Sequence, residues 1–115
     1  MGSRRNGRIA KNQSLFRMIN DAAMRWPDRR DALPSETFAV YCECADPSCY
    51  GRMRLTRSEY EAIRAEPTRF ALLPGHVFSE AERVVEERDG YLVVEKNEDV
   101  RDIVEETDPR KAVTA

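Results

Sequence analysis

The chain has 115 residues, of which 41% are hydrophobic and 35% are charged, and its formal net charge is −2. This length fits one domain, and this composition is too charged for a membrane protein and too apolar for an intrinsically disordered chain. No apolar run approaches the ~18 residues of a transmembrane helix, and no apolar segment follows the basic N-terminus as in a secretory signal. We therefore expect a cytoplasmic protein that does not bind membranes.

The charge changes sign along the chain. Residues 1–30 have eight basic and two acidic side chains, a net of +6, whereas residues 77–108 have four basic and twelve acidic ones, a net of −8. Residues 1–11 also lack apolar periodicity, so we expect a flexible basic arm there. Such an arm either binds an anionic partner, such as nucleic acid, or is ordinary solvated surface, and we favour the second interpretation.

An amphipathic helix is predicted after this arm, beginning at Asn12 or Ser14 and ending before Pro27. Its apolar residues recur with the spacing of one helical face, namely Leu15, Ile19, Ala22 and Trp26, with Phe16 and Ala23 beside them. We expect this helix to pack alongside the domain through that face, and we expect the basic helix or the exposed part of the stripe to be the working surface. The polar segment at residues 28–36, which contains a proline, is interpreted as a linker.

The middle of the chain predicts a β-hairpin followed by a helix. Thr37–Cys44 is rich in β-forming residues, and Gly51–Leu55 returns as a second strand. Thr56 then begins a helix, because Glu59 stands three residues later and completes a capping box that satisfies two backbone N–H groups. Pro67 ends this helix.

A short strand at Arg69–Leu73 and a second hairpin follow. A three-residue loop at residues 88–90 would place Gly90 in the left-handed conformation. This register aligns β-branched residues and opposite charges: Val85 with Val93, Val84 with Val94, Arg83 with Glu95 and Glu82 with Lys96. A two-residue loop gives poorer pairs, and each favourable pair contributes about 0.2–1 kcal/mol. Residues 98–115 are expected to form an acidic tail, helical at first and then frayed.

Three cysteines gather in the first hairpin. Cys42 and Cys44 lie two residues apart on the predicted strand, so both side chains leave the same face, and Cys49 follows a turn of four residues. A disulfide between the first two is unfavourable, because their α-carbons would lie about 6.6 Å apart. Tetrahedral zinc, with bonds of about 2.3 Å, needs sulfurs about 3.8 Å apart, and thiolates favour zinc over magnesium or calcium.

Three thiolates leave one ligand position, and His76 is the single histidine of the chain. It follows Pro74 and Gly75 in a predicted tight turn, where the glycine gives the backbone freedom to aim the ring. With His76 the site is closed and structural; with water instead it is open and reactive. The competing interpretation is three buried thiols and an exposed histidine. Arg52 and Arg54 are expected to be strand-surface charges, with hydrogen bonds to the sulfurs as the alternative.

These elements and the cysteines predict one small α+β domain spanning residues 12–97. It consists of a zinc-knuckle hairpin, a capped helix and a C-terminal β-hairpin, with the N-terminal amphipathic helix alongside. The predicted zinc ligands are Cys42, Cys44, Cys49 and His76. Zinc would matter because a domain of this size buries a modest core.

Catalysis is not indicated by the sequence. A zinc deaminase needs a glutamate beside a histidine ligand and a following C-x-x-C, whereas Glu43 lies between two cysteines. A cysteine nucleophile needs a histidine base, and the single histidine is already assigned as a ligand. The five glycines form no phosphate-binding loop. We therefore expect no catalytic residues and no organic cofactor.

Four motifs resemble a group of short, uncharacterised bacterial proteins. They are C-E-C-A-D-P-S-C at residues 42–49, L-T-R-S-E-Y-E-A-I-R at 55–64, P-G-H at 74–76 and R-D-G-Y-L-V-V-E-K at 88–96. The likeness covers residues 12–97 and includes L-F-R-M-I-N at 15–20. It implies a bacterial, cytoplasmic setting, and it implies that the three cysteines and His76 form one recurring constellation. No activity is established for this group.

The functional expectation is a small zinc-stabilised binding or regulatory module without catalytic activity, whose partner is another protein. One alternative is a thiol-based redox or metal sensor that uses the same cysteines. Another alternative is a nucleic-acid-binding accessory protein that uses the basic arm. The sequence pI of about 5.5 and the lack of aromatic residues within that arm count against this last alternative.

Overall fold

The chain forms helices and two small antiparallel sheets. The computed structural model describes residues 2–24, 33–44, 46 and 48–108, with side chains described for 13–24, 33–44, 46, 48–98 and 100–108. Its elements are α1 (Gly2–Met24), β1 (Thr37–Tyr41), β2 (Arg52–Thr56), α2 (Arg57–Arg64), β3 (Arg69–Leu72), β4 (Glu82–Arg88), β5 (Tyr91–Lys96) and α3 (Glu98–Glu106). One sheet pairs β1 with β2, and the other has the order β3-β5-β4. The predicted α+β fold class is confirmed.

Several predictions fall outside the described residues. They concern the end of the first helix at Trp26 and Pro27, residues 28–32 of the expected linker, and the frayed tail beyond Asp108. Within the described part of the chain, no helix combines the length and the apolar character needed to cross a membrane.

Strands β3 and β5 of the three-stranded sheet are buried on both faces, whereas the edge strand β4 is largely exposed. Phe70, Leu72 and Val94 face one hydrophobic core, which also contains residues of α3, and we call it the first core. Ala71 and Val93 face the second core, which also contains residues of β1, β2 and α2. Nearly continuous apolar strands are what a sheet covered on both sides requires. The domain is therefore built in layers around this sheet.

Helix α2 begins as the sequence predicts. The Thr56 hydroxyl accepts a hydrogen bond from the N–H of Glu59 at 3.1 Å, and the Glu59 carboxylate accepts one from the N–H of Thr56 at 2.8 Å. The capping box is therefore confirmed. Beyond it, Tyr60 and Ile63 bury their side chains in the second core.

The β4-β5 hairpin has most of the predicted residue pairs, but its loop and the pairs next to the loop differ from the prediction. The pairs up to Val84 opposite Val94 are as predicted, but Val85 opposite Val93 is wrong, because Glu86 takes that place. Val85 lies in a β-bulge between its neighbours. The predicted three-residue loop is also wrong, because Arg88 pairs with Tyr91 and the strands close at a two-residue loop. Gly90 in that loop has φ +86°, which confirms its left-handed conformation. The bulge restores the register that a two-residue loop alone would lose.

Helix α1 differs from the prediction in its start and in its buried face. Its backbone is helical from Gly2, so it includes residues 2–11, and the flexibility of the expected arm stays a prediction. The predicted core-facing stripe is wrong, since Leu15 is 51% exposed, Ile19 is 42% exposed and Ala22 is exposed. Phe16, beside that stripe, is buried.

Polar side chains hold the opposite face of α1 to the domain. Gln13 donates to the Glu43 carbonyl at 3.0 Å, and Asn20 exchanges hydrogen bonds of 2.9 and 3.0 Å with the backbone of Tyr41. Arg17 donates to a carbonyl of α3 at 2.7 Å. Because these buried groups find specific partners, the polar face rather than the apolar one turns inward.

The predicted acidic tail begins with a helix that belongs to the folded domain. In α3, Val100 and Val104 are fully buried in the first core. The hydroxyls of Thr107 and of Ser14 in α1 are hydrogen-bonded to each other at 2.8 Å. The packed part of the chain therefore continues past residue 97, where the sequence placed the end of the domain.

Candidate metal centre

The structure brings the four predicted zinc ligands together. One ligand atom from each of Cys42, Cys44, Cys49 and His76 lies within 4.8 Å of the other three. Cys42 and Cys44 are buried, whereas Cys49 and His76 are half-buried. This cluster could bind a metal ion.

The two distances from His76 to sulfur fit a tetrahedral ion. Nδ1 of His76 lies 3.6 Å from Sγ of Cys49 and 3.8 Å from Sγ of Cys42. In a zinc site with bonds of about 2.3 Å to sulfur and about 2.0 Å to nitrogen, nitrogen and sulfur are about 3.6 Å apart. The imidazole therefore stands at the distance that a fourth ligand needs, and Nε2 is left for an outer hydrogen bond.

Cys42 and Cys44 lie on a segment that passes from one sheet to the other. The N–H of Cys42 donates a hydrogen bond of 2.8 Å to the carbonyl of the residue preceding β2. The N–H of Glu43 donates one of 2.8 Å to the Ala71 carbonyl in β3. Strand β1 therefore ends at Tyr41, three residues before its predicted end, because the chain changes pairing partner there. Both cysteines pack in the first core as a result.

Two turns supply the other ligands. In the first, the carboxylate of Asp46 accepts a hydrogen bond from the N–H of Ser48 at 2.9 Å. The backbone carbonyl of Asp46 accepts another from the N–H of Cys49 at 3.0 Å. This is a turn that aspartate favours. In the second, the N–H of His76 donates to the carbonyl three residues earlier at 3.2 Å, and Gly75 has φ +85°. The predicted tight turn is therefore confirmed.

Leu73 connects the hairpin to the histidine loop. Its N–H donates to the Cys42 sulfur at 3.2 Å, a contact that stabilises a thiolate. A Cβ at position 51 would lie 2.4 Å from Leu73 Cδ1 and 3.6 Å from the Cys49 sulfur. A side chain at position 51 would therefore displace the Leu73 side chain, and Gly51 lets the two ligand loops approach each other without that shift.

Burial keeps the two inner thiols neutral in the metal-free protein. It raises the pKa of Cys42 and the pKa of Cys44, because a thiolate is poorly solvated in the first core. A metal ion must displace these protons when it binds. Its affinity is therefore expected to increase with pH.

One flank of the cluster opens to solvent through a cleft of about 320 Å³. The cleft is lined by Cys44, Asp46, Gly75, His76, Val77 and Phe78. An ion or a small molecule can reach the cluster from this side, even though two of the sulfurs are buried.

Glu43 is the residue of this region that sequence reasoning missed. It is fully buried, and its carboxylate accepts hydrogen bonds from the N–H of Ala71 at 2.9 Å, the Asn20 amide at 2.8 Å and the Tyr60 hydroxyl at 3.0 Å. Burial raises the pKa of Glu43. Alternation along a strand predicts a solvent-facing side chain between two inward cysteines, and only the change of sheet buries it. Glu43 thus fixes the segment that bears two ligands.

Arg52 and Arg54 lie away from the sulfurs, on the outer face of β2. The Arg54 guanidinium donates to the hydroxyl and carbonyl of Thr37 at 3.2 and 2.9 Å. The Arg52 guanidinium lies 5.9 Å from the ring centre of Tyr41. The expectation of strand-surface charges is confirmed for both.

The fold and the cluster together define a small α+β domain with a Cys₃His group that could bind a metal ion. No protein-family model matches this chain, and no curated protein or solved structure is significantly similar to it. The resemblance to the group of short bacterial proteins therefore stays a prediction.

Proposed function

We propose that the protein is a zinc-stabilised binding or regulatory module without catalytic activity. The proposal rests on one observation, the approach of all four ligand atoms to within 4.8 Å of one another. Three thiolates and one imidazole are a closed structural zinc set, and such soft ligands disfavour magnesium and calcium. The proposed setting is the bacterial cytoplasm, as the resemblance of the four motifs implies.

The location of the cluster supports a structural role for the metal. Cys42 and Cys44 pack among the side chains of the first core, and Glu43 between them bonds to three other elements of the fold. Structural zinc can supply on the order of 10 kcal/mol of folding free energy. The lack of a catalytic role is supported by His76, since the single histidine faces the sulfurs and is not free to act as a base.

The exposed face of α1 is the proposed docking surface for another protein. Leu15, Met18 and Ile19 are 51%, 46% and 42% exposed, respectively. Their i, i+3, i+4 spacing is the one by which a helix inserts into an apolar groove. The exposed area of three half-exposed side chains is smaller than the ~800 Å² that each partner buries in a stable interface. The partner must therefore also contact the surface around them.

Elemental analysis of protein purified without a histidine tag tests the metal site. We expect about one zinc per chain, and we expect Cys44→Ser to lower both the zinc content and the melting temperature. His76→Ala should weaken zinc binding if the imidazole is the fourth ligand and leave it unchanged if water is. Ser79→Ala, an exposed position three residues beyond the histidine, is the matched control. Equal zinc content in Cys44→Ser would contradict the proposal.

A thiol-based sensor is the second candidate, favoured by the half-buried Cys49 and by the open cleft, whose lining includes Cys44. One peroxide molecule oxidises two thiols to a disulfide and is itself reduced to two water molecules. In a sensor, zinc leaves as the thiolates are oxidised. Thiol counting and zinc release after mild peroxide, on the same sample, separate this candidate from an inert structural site.

A further inference from the structure

The outer face of the β1-β2 sheet combines aromatic and basic side chains. Val40, Met53 and Leu55 point into the second core. The alternating outward positions are Thr37, Ala39, Tyr41, Arg52, Arg54 and Thr56. None of these six is acidic, in a chain with 21 acidic residues. This face therefore has a local positive charge on a protein whose net charge is negative.

An exposed aromatic ring stands at one end of this face. Tyr50 is 69% exposed, and its ring meets Phe16 edge-on, with centroids 6.3 Å apart and planes at 74°. Phe16 is 9% exposed and also contacts Tyr41, at 6.5 Å between centroids. Tyr50 is thus presented to solvent on a buried aromatic support, next to the end of β1.

Among the described residues, the two arginines are held in place by contacts other than ion pairs. Thr37 accepts both hydrogen bonds of Arg54, and Arg52 lies over Tyr41. In the described part of the chain, the ion pairs within 4.0 Å involve neither arginine. Alternate positions on a strand are about 6.6 Å apart, so this face presents two ordered positive charges beside the aromatic ring.

We propose that this face binds single-stranded nucleic acid, with Tyr50 stacking on a base and Arg52 and Arg54 contacting phosphates. Exposed rings beside a row of cations are the combination that unpaired strands recognise, because every base has a face for stacking and every nucleotide has a charge. An acidic peptide would pair with the arginines but would have no base to stack on Tyr50. A duplex would offer phosphates but would keep its base faces covered.

The proposal goes beyond the metal site and the apolar face of α1, and it differs from the expectation of a basic arm. The arm at residues 1–11 contains no aromatic residue, whereas the fold sets Tyr41 of β1 beside Arg52 of β2 and joins Tyr50 to Tyr41 through Phe16. Tyr50 directly follows the candidate metal ligand Cys49. The position of its ring therefore depends on the folding of the loop that carries this ligand.

Fluorescence anisotropy with labelled oligo-dT and oligo-U of ~20 nucleotides tests the proposal, with zinc-loaded full-length protein and salt varied from about 20 mM upward. The two probes distinguish DNA from RNA as the source of the strand. We expect binding that weakens with salt, and we expect Tyr50→Ala to reduce the affinity about tenfold. Arg52→Gln with Arg54→Gln should lower the slope of log K against log salt by about 1.4, which is about 0.7 for each phosphate contact.

Arg88→Gln with Arg101→Gln is the matched control, because it removes the same charge from exposed positions elsewhere. It should leave the affinity within about twofold. The proposal is overturned by absence of binding at low salt, by equal losses in the two double variants, by full affinity of Tyr50→Ala, or by polyglutamate or a duplex competing as well as the single strand. Zinc content and melting temperature, measured on the same samples, show whether the metal site fails independently.

Discussion

Helices α1 and α2 pack against the same domain in opposite ways. Helix α2 inserts Tyr60 and Ile63 into the second core. Helix α1 contributes Met24 to that core, but most of its buried side chains are polar, and Leu15 and Ile19 are exposed. Apolar packing is non-directional and tolerates small shifts, but buried hydrogen bonds need each donor aligned with its acceptor. Apolar periodicity therefore identifies the buried face of a helix only where apolar packing holds that helix.

The two helices meet at a buried ion pair. Arg64 of α2 donates to both carboxylate oxygens of Asp21 in α1, at 2.8 and 2.9 Å, and also contacts Asp108. The side chains of Arg64 and Asp21 are 0% and 2% exposed. A two-pronged arginine–carboxylate contact fixes orientation as well as distance, so it sets the position of α1 relative to α2.

Among changes to the two helices, the largest expected effect comes from breaking this pair. Asp21→Ala should lower the free energy of unfolding by about 3–5 kcal/mol, because the Arg64 charge stays buried with fewer partners. Urea unfolding measures the change. Arg83→Ala removes an exposed partner of Glu95 and should cost less than about 1 kcal/mol. Equal losses in the two variants would show that the buried pair does not hold α1.

A smaller, pH-dependent effect is expected at the start of α2. The hydrogen bond from the Thr56 N–H lowers the pKa of Glu59 below its usual 4.5. Its stabilisation is therefore complete above about pH 4.5 and is lost as the pH falls through the lower folded-state pKa. Because Glu59 is half-buried and still screened by solvent, we expect Glu59→Gln to remove at most about 0.5 kcal/mol at pH 7 and nothing at pH 2. A pH-independent difference in urea unfolding would contradict this role.

The smallest effect is expected on the outer face of α1. Leu15→Gln with Ile19→Gln should change the free energy of unfolding by less than about 0.5 kcal/mol, because both side chains are already exposed. Ile63→Val, in the buried face of α2, should cost about 1 kcal/mol by comparison. A large loss in the α1 variant would show that its apolar face packs against the domain after all.

Local rules were sufficient to predict α2 and most of the second hairpin. The capping residues lie three positions apart, and Val84 with Val94 follows from pairing across a short loop. The bulge at Val85 was not predicted, because a two-residue loop and the charge pairs favour different registers and only a bulge satisfies both.

The ligand cluster was also within reach of the sequence, whereas its surroundings were not. Spacing places Cys42 and Cys44 on one face, and a single histidine limits the choice of fourth ligand. The burial of Glu43 depends on Asn20 and Ala71, which are 23 and 28 residues away along the chain. No local pattern encodes those contacts, so the polar network around the site emerges only with the fold.

The passage of residues 41–44 from one sheet to the other has a consequence for how the domain melts. In this short segment, one N–H group donates to the β1-β2 hairpin and the next N–H group donates to β3. Separating the edge strand of either sheet would therefore disturb the other sheet. The two sheets therefore belong to one cooperative unit of unfolding as long as the crossing is intact.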